Sequence, residues 1–208
     1  MIITYLGKQF FKIAQGSLVV AVNPISKDSK LSLKVARFGS DIALSTTNHP
    51  DYNGLDTVSH GESVPFEVKG PGDYEIKGIF IKGIMTESII NEKKYINTIY
   101  TFSIDNISIC FLGCMSNNKI NAETRGEIGS PDILFVPIGN HDLLDPSEAY
   151  KLAVSLEPKI IIPMDYDDKT LKAFLKEGGQ DKVESIEKLT IKAKDIVGRE
   201  GEIVVLSI

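Results

Sequence analysis

The chain has 208 residues, of which 42% are hydrophobic and 25% are charged, and its formal net charge is −5. This length is enough to bury a substantial core, and the composition is that of an ordinary globular protein. The acidic balance gives no electrostatic reason to expect binding to nucleic acid. No apolar run reaches the roughly 20 residues that cross a bilayer. We therefore expect one domain over residues 1–208, with neither a nucleic acid nor a membrane as partner.

Cysteine usage and the first residues indicate a compartment. Residues 1–5 lack the basic start and the small-residue cleavage site of a secretory signal. The only cysteines are Cys110 and Cys114, which would make a poor disulfide framework. A zinc site made of four thiolates needs two such pairs of cysteines, and the sequence has only one pair, so this kind of site is excluded. We expect a reducing, cytoplasmic location.

Short apolar runs separated by Gly, Asn and Pro predict a series of strands in the first half of the chain. These strands are predicted at residues 2–6, 10–14, 18–22, 41–44, 66–68, 74–76, 79–84, 98–104 and 108–112. Tight turns are expected at Gln15-Gly16 and at Asp105-Asn106. The polar stretch at residues 26–34 is a loop or a short helix.

The second half adds helices between strands. Residues 133–137 and 159–163 are nearly all apolar, which predicts strands covered on both faces. Asp145, followed by Pro146, has the chemistry of a helix start and opens a helix at residues 149–156. A second helix at residues 170–177 ends at two glycines. Further strands are predicted at residues 183–186, 188–191 and 202–206. This order predicts two packed sheets with helices outside.

The loop at residues 45–54 follows a predicted buried strand and contains His49 and Asp51. A strand that ends in clustered His and Asp side chains presents ligands to zinc in many hydrolases. His49 could ligate a metal or act as a general acid/base near neutral pH. Alternatively, His49 and Asp51 only satisfy hydrogen bonds of the loop.

Seven segments taken together resemble the metallo-β-lactamase superfamily, in its branch of ascorbate-phosphate-lactonase-like, zinc-dependent hydrolases. The segments occur in the family's order at residues 1–7, 22–24, 70–78, 97–100, 109–113, 132–139 and 158–164. The resemblance implies an α/β fold, a four-layer αβ/βα sandwich, with the site at one edge of the two sheets.

The family's ligand set is only partly matched. Its loop motif His-x-His-x-Asp-His falls on residues 47–52, where His49 and Asp51 remain and Thr47 and Tyr52 replace two histidines. The bridging aspartate, the final histidine and the first histidine of the pattern fall on other residue types, namely Cys114, Asp165 and Lys8. The resemblance therefore implies an impaired or absent binuclear zinc site.

Three of these positions still carry groups that zinc accepts. Asp51, Cys114 and Asp165 match the second-metal ligands and could hold one zinc or a similar divalent metal, leaving one position for water. Alternatively no metal binds, because Cys114 is a small buried hydrophobe and the aspartates are turn residues. Lys8 could replace the charge of the metal by pairing with Asp51 or Asp165. His141, in the loop before a helix, could contact a substrate anion or be exposed to solvent.

Two functions remain open. The first is a divergent, hydrolase-like protein that would use one metal to hydrolyse a small ester, lactone or phosphate ester. Its residues would be His49 and Asp51 in catalysis, with Asp51, Cys114 and Asp165 as metal ligands. The second is a non-catalytic binding or assembly protein on the same fold. A side chain of Tyr52, Thr47 or Lys8 at the point where a metal would sit would make a metal implausible and so favour the second.

Overall fold

The structure, a computed structural model, describes residues 1–31, 33, 38–139 and 142–208. Its strands are named in chain order. They are β1 (Ile2–Tyr5), β2 (Phe11–Gln15), β3 (Leu18–Val22), β4 (Ile42–Leu44), β5 (Phe66–Val68), β6 (Gly72–Ile76), β7 (Ile79–Ile90), β8 (Lys93–Ile104), β9 (Ile107–Phe111), β10 (Ile133–Pro137), β11 (Ile160–Met164), β12 (Lys188–Thr190) and β13 (Glu202–Ile203).

The helices begin at side chains that cap them. They are α1 (Ala122–Ile128), α2 (Pro146–Ser155) and α3 (Asp168–Glu177). Asn121 accepts a hydrogen bond from the backbone of Thr124 at the start of α1, and Asp145 accepts two at the start of α2. Such caps satisfy backbone donors that have no partner within the helix. None of the helices in the described part of the chain has the length and apolar character that crossing a bilayer requires.

The strands form two mixed sheets. The first has the order β12-β1-β2-β3-β4-β5, and the second has the order β13-β11-β10-β9-β8-β7-β6. In the second sheet β9, β10, β11 and β13 run parallel, whereas β6 to β9 form an antiparallel meander. Because parallel strands end at the same edge, the loops after β9 and β11 lie close together.

The two sheets face each other across an aromatic core. Phe11 of β2 lies with its ring centroid 4.8 Å from that of Phe135 in β10, and its ring is edge-on. Phe111 of β9 lies 5.2 Å from Phe135. All three side chains are fully buried. Edge-to-face contacts between large buried rings hold the sheets in register.

The outer faces are covered differently. Helices α2 and α3 contact each other and cover the second sheet through Leu152 and Phe174. A 3₁₀ segment, Leu55–Val58, packs on the outer face of the first sheet against Phe10 and Ala43. The predicted layered α/β sandwich is confirmed, and among the described residues the 3₁₀ segment is what packs on the outer face of the first sheet.

Several predicted elements need correction. Helix α1 was not predicted, because it is short and has a glycine inside it. The hairpin of β7 and β8 extends to Ile90 and Lys93, beyond the predicted strands at residues 79–84 and 98–104. Residues 183–186 form no strand, since only one bridge joins Ile186 to Leu206. Part of the predicted loop or helix at residues 26–34 lies outside the described residues.

Candidate functional site

Loops from both sheets meet at one edge of the sandwich. Lys8 follows β1, Asn23 follows β3, Cys114 follows β9 and Asp165 follows β11. Three of these four have left-handed backbones, with φ of 57° at Lys8, 49° at Asn23 and 57° at Asp165. Non-glycine residues adopt this conformation rarely, and it is enriched at functional sites. The Asp165 amide donates to the Lys8 carbonyl at 2.7 Å, which joins the two sheets at this edge.

The carboxylate of Asp165 is fully engaged by protein donors. The Lys8 ammonium lies 2.8 Å from its Oδ1. The Tyr52 hydroxyl donates to Oδ2 at 3.2 Å, and the Gln9 amide donates to the same oxygen at 3.2 Å. Asp165 is only 8% exposed. A buried carboxylate is stable when a counter-charge and hydrogen bonds satisfy it, and Asp165 has both.

Burial and nearby charges fix the charge states of Lys8 and Tyr52. Burial opposes the charge on Lys8, but the attraction and hydrogen bond of Asp165, with a further contribution from Asp51, raise the pKa of Lys8 above its ordinary value. Burial, followed by the nearby Cys114, Asp165 and Asp51, raises the pKa of Tyr52 well above its ordinary value. Lys8 is therefore cationic and Tyr52 is a protonated donor at neutral pH.

Cys114 lies below this ion pair and is fully buried. Its Sγ is 3.7 Å from Gln9 Oε1 and 4.0 Å from Thr46 Oγ1, and its side chain packs with Tyr52. Burial raises the pKa of the Cys114 thiol to about 12. Without a metal the sulfur is therefore a thiol at neutral pH and not an activated nucleophile. A bound metal would displace this proton, so the raised pKa does not by itself decide metal binding.

An amide network that the sequence did not reveal supports the site. Asn97 accepts hydrogen bonds from the Cys114 amide at 2.7 Å and from the Thr47 hydroxyl at 3.3 Å, and it donates to Leu112 O at 2.9 Å. A Cβ at Gly113, where φ is 68°, would lie 2.4 Å from Asn97 Oδ1, so only glycine fits there. Asn97 thereby fixes the backbone that carries Cys114.

A second part of the same network lies beside Asp165. Asn23 donates to Gln9 Oε1 at 3.2 Å and to Thr46 Oγ1 at 2.9 Å, and it accepts from the Thr46 amide at 2.8 Å. Gln9 and Asn23 are fully buried. A buried network in which each amide is satisfied rigidifies its surroundings.

His49 and Asp51 lie at the mouth of the site and are bound into their own loop. The Asp51 amide donates to His49 Nδ1 at 3.3 Å, and the two side chains approach to 3.8 Å. The Ser29 hydroxyl donates to Asp51 Oδ1 at 2.5 Å. The His49 ring also contacts Tyr52 and Tyr95, with centroids 5.8 Å away in each case. These contacts correspond to the alternative in which His49 and Asp51 only satisfy hydrogen bonds of their own loop.

A small open pocket of about 330 Å³ lies over these residues. Its lining includes residues that the sequence analysis discussed and adds residues from the β7–β8 turn and from the loop before α2: Lys8, His49, Asp51, Tyr52, Ile90, Asn91, Asp142, Leu143 and Asp165. The volume is at the lower end of the range for small-molecule sites.

The side chains do not fit the metal site that the family implies. Among residues 1–31, 33, 38–139 and 142–208, no three His, Cys, Asp or Glu side chains converge as metal ligands. Asp165 binds Lys8 and Tyr52 where a metal would need its oxygens, and Asp51 binds Ser29. Cys114 is fully buried and its Sγ lies against Gln9 and Thr46. A cation would also meet the Lys8 ammonium, which repels it.

The predicted site residues therefore lie close together in the structure, but their side chains do not have the geometry of metal ligands. Lys8, His49, Asp51 and Asp165 share the pocket, and Cys114 lies beneath it. Lys8 was expected to pair with Asp51 or Asp165, and the structure has the pair with Asp165. Three buried amide residues were missed, because isolated amides carry no motif that marks them: Gln9, Asn23 and Asn97. His141 lies outside the described residues.

Comparison with known proteins relates most of the chain to one superfamily. The family model for a "Beta-lactamase superfamily domain" matches residues 2–165. A UPF0173 metal-dependent hydrolase of Listeria welshimeri is 26% identical over 199 residues, which cover 80% of this chain and 86% of that protein. One of Thermoplasma acidophilum is 24% identical over 173 residues, covering 73% and 77%.

Solved structures show the same fold. A Thermotoga maritima protein, described as a candidate Zn-dependent hydrolase of the metallo-β-lactamase superfamily, aligns with a TM-score of 0.76 at 24% identity over 99% of this chain and 97% of its own. A protein of Parabacteroides distasonis, described as a candidate metal-dependent hydrolase, aligns with a TM-score of 0.63 at 18% identity over 86% of this chain and 90% of its own.

Proposed function

Because this chain belongs to the β-lactamase superfamily, we propose that it is a divergent, hydrolase-like member whose metal site is eroded and whose fold serves binding or assembly. The pocket at the sheet edge is kept as a preorganised cavity for a small polar ligand. A cytoplasmic location fits the two free cysteines, both of which are buried.

One observation carries this proposal. The Lys8 ammonium lies 2.8 Å from Asp165 Oδ1, at the position that resembles the family's last metal ligand. A lysine supplies a single positive charge at a fixed place, so it satisfies Asp165 electrostatically. It has no vacant coordination position, so it does not activate water as a Lewis acid does. The arrangement supports a stable pocket more than a hydrolytic centre.

The retained side chains suit ligand binding. Lys8, with its side chain 27% exposed, keeps part of its ammonium at the pocket surface. His49 and Asp51 offer a ring and a carboxylate at the mouth, while Ile90 and Leu143 supply apolar wall. A few convergent polar groups on an apolar lining orient small ligands in many proteins.

The alternative is a hydrolase that uses one metal on Asp51, Cys114 and Asp165 to cleave a small ester, lactone or phosphate ester. The relatives are named metal-dependent hydrolases, and this favours the alternative. It would require Lys8 and Tyr52 to release Asp165. It would also require Ser29 to release Asp51. These two costs make the alternative weaker.

Metal analysis of protein purified without chelator, before and after zinc is supplied, tests the proposal. We expect no stoichiometric transition metal and no metal-dependent turnover of esters, lactones or phosphodiesters. Metal-dependent turnover that Asp51→Ala abolishes would overturn it.

A substitution at Lys8 tests the role of the ammonium directly. Lys8→His removes the permanent charge and restores the residue type that the family pattern has there, so this variant should retain more zinc than the natural chain. Lys188→His, on the exposed edge strand β12, is the matched control and should not. Equal zinc content in all three proteins would show that the ammonium does not control metal binding.

A further inference from the structure

The outer half of the β7–β8 hairpin, residues 84–99, extends beyond the neighbouring strands. Strand β6 pairs with β7 only as far as Gly83, and β9 pairs with β8 only from Tyr100 onward. Between these limits the two strands pair with each other, and one bridge joins Asn97 to Thr47. We call residues 84–99 the distal hairpin.

The two faces of the distal hairpin differ sharply. One face is buried against the site and against the hydrophobic residues between the second sheet and helices α2 and α3; it carries Ile84, Ser88, Ile90, Asn97 and Ile99. On the opposite face Met85 is 62% exposed, Ile89 is 46% exposed and Ile96 is 58% exposed. Three large apolar side chains that cluster on one surface are typical of an interaction site, whereas scattered ones are not.

The strand register places two charges among these apolar side chains. Glu87 lies directly opposite Ile96, and Lys94 lies directly opposite Ile89. Glu87 and Lys94 are therefore diagonal neighbours, as are Ile89 and Ile96. Both charged side chains are exposed, and within the described residues neither forms a salt bridge of 4 Å or less.

We propose that this face binds a second copy of the chain. This dimer would have a two-fold axis in the plane of the interface, along the line from Ile89 to Ile96. Each of these isoleucines then lies against the same isoleucine of the partner subunit. The same rotation exchanges the ends of the other diagonal, so that Glu87 of each chain faces Lys94 of the partner subunit. The face is thus complementary to itself in both shape and charge, as an isologous interface requires. The strands of the two hairpins cross steeply, which is one of the two common ways in which sheets pack.

The composition of the face sets the strength of this contact. Isoleucines at the centre supply buried apolar area, and the opposite charges at the rim fix orientation and partner choice. A two-stranded ribbon is small beside the roughly 800 Å² per partner of a standard interface. The dimer is therefore weak and reversible. This inference does not depend on the proposed function, since it uses the face opposite the pocket.

Sedimentation velocity over a concentration series from roughly 1 μM to 1 mM, a range that spans weak association, tests the proposal. The natural chain should pass from monomer to dimer within this range. Glu87→Lys should be monomeric because the introduced ammonium would face Lys94 of the partner subunit, and Lys94→Glu should be monomeric for the reciprocal reason. An equimolar mixture of the two variants should form a mixed dimer, because both contacts then join opposite charges.

Two further variants separate the face from general effects. Ile96→Lys should abolish the dimer, whereas Glu184→Lys, with the same change of charge as Glu87→Lys at an exposed position elsewhere, should leave it intact. Circular dichroism confirms that each variant is folded. A natural chain that stays monomeric overturns the proposal. So does a dimer that survives Glu87→Lys, or a mixture of the two charge variants that does not associate.

Discussion

Lys8 and Asp165 are joined twice, through their side chains and through their backbones. The ammonium lies 2.8 Å from Oδ1, and the Asp165 amide donates to the Lys8 carbonyl at 2.7 Å. Tyr5 also donates to the Lys8 carbonyl, at 3.0 Å. Because β1 and β11 belong to different sheets, this double link connects the two halves of the sandwich at the pocket.

Lys8→Met should destabilise the protein by about 2 kcal/mol, because it leaves the buried Asp165 carboxylate without its counter-charge. This expected loss of stability is smaller than the loss for a fully buried ion pair, because the Lys8 side chain is 27% exposed. Urea unfolding of the two proteins measures the difference.

The double variant Lys8→Met/Asp165→Asn is the control for this prediction. It removes both charges, so it should recover part of the lost stability. A double-mutant cycle with the two single variants then gives the coupling free energy between the side chains of Lys8 and Asp165. A coupling near zero would contradict an important role for the ion pair.

Gly139→Ala should destabilise the protein strongly. A Cβ at this position would lie 1.7 Å from the carbonyl oxygen of Asp165, which is backbone and cannot step aside. The matched control is Gly126→Ala in the middle of α1, where a Cβ meets nothing within 4 Å. The control should gain up to about 1 kcal/mol from helix propensity. Thermal unfolding of both variants checks the prediction, and equal shifts in the two would contradict it.

Both cysteines should resist modification in the folded protein. Burial raises the pKa of Cys114 to about 12 and also raises that of Cys110. At neutral pH almost no thiolate is present, and reagents cannot reach either sulfur. Reaction with a chromogenic disulfide should therefore be slow in buffer and fast for both thiols in denaturant. Rapid reaction of one thiol in the native state would mean that Cys110 or Cys114 is exposed or ionised, and a Cys114→Ser variant would tell which.

The pH dependence of stability should show a contribution from Asp132. Burial opposes its charge, but hydrogen bonds from Lys159 and Ser108 outweigh burial and lower the pKa of Asp132 below its usual 3.8. A depressed pKa in the folded state adds stability that is present above the unfolded value and is lost as pH falls through the folded value. Asp132→Asn should therefore cost on the order of 2 kcal/mol at neutral pH.

The difference between this variant and the natural chain should narrow below about pH 4, where the unfolded carboxyl is protonated, and should be smallest at the lowest pH at which both fold. Urea unfolding from neutral pH downward measures it. A difference that is constant over this range would mean that the charge of Asp132 has no part in stability.

Most of the fold follows from the order of apolar runs. The predicted strand at residues 18–22 matches Leu18–Val22, and the turn at Asp105-Asn106 is present, with φ of 54° and 59°. The long hairpin was underestimated, because its outer half carries exposed isoleucines beside charged residues and its buried face rests partly on the site as well as on the core of the second sheet. Local pattern alone does not show where that face rests.

The site was predictable only as a location. Matching the family pattern placed His49, Asp51, Cys114 and Asp165 at one edge, where the structure also has them. Whether two of these side chains share a metal or satisfy a lysine depends on small differences in distance. Rotamers of Lys8 and Tyr52 decide this, and no sequence pattern encodes them.

The positive charge beside Asp165 belongs to the chain itself. It cannot be diluted, chelated or displaced by a competing ion. On the function proposed above, the cavity at the sheet edge therefore keeps its shape whatever the supply of zinc in its surroundings, which is a form of independence that a protein with a metal-built pocket does not have.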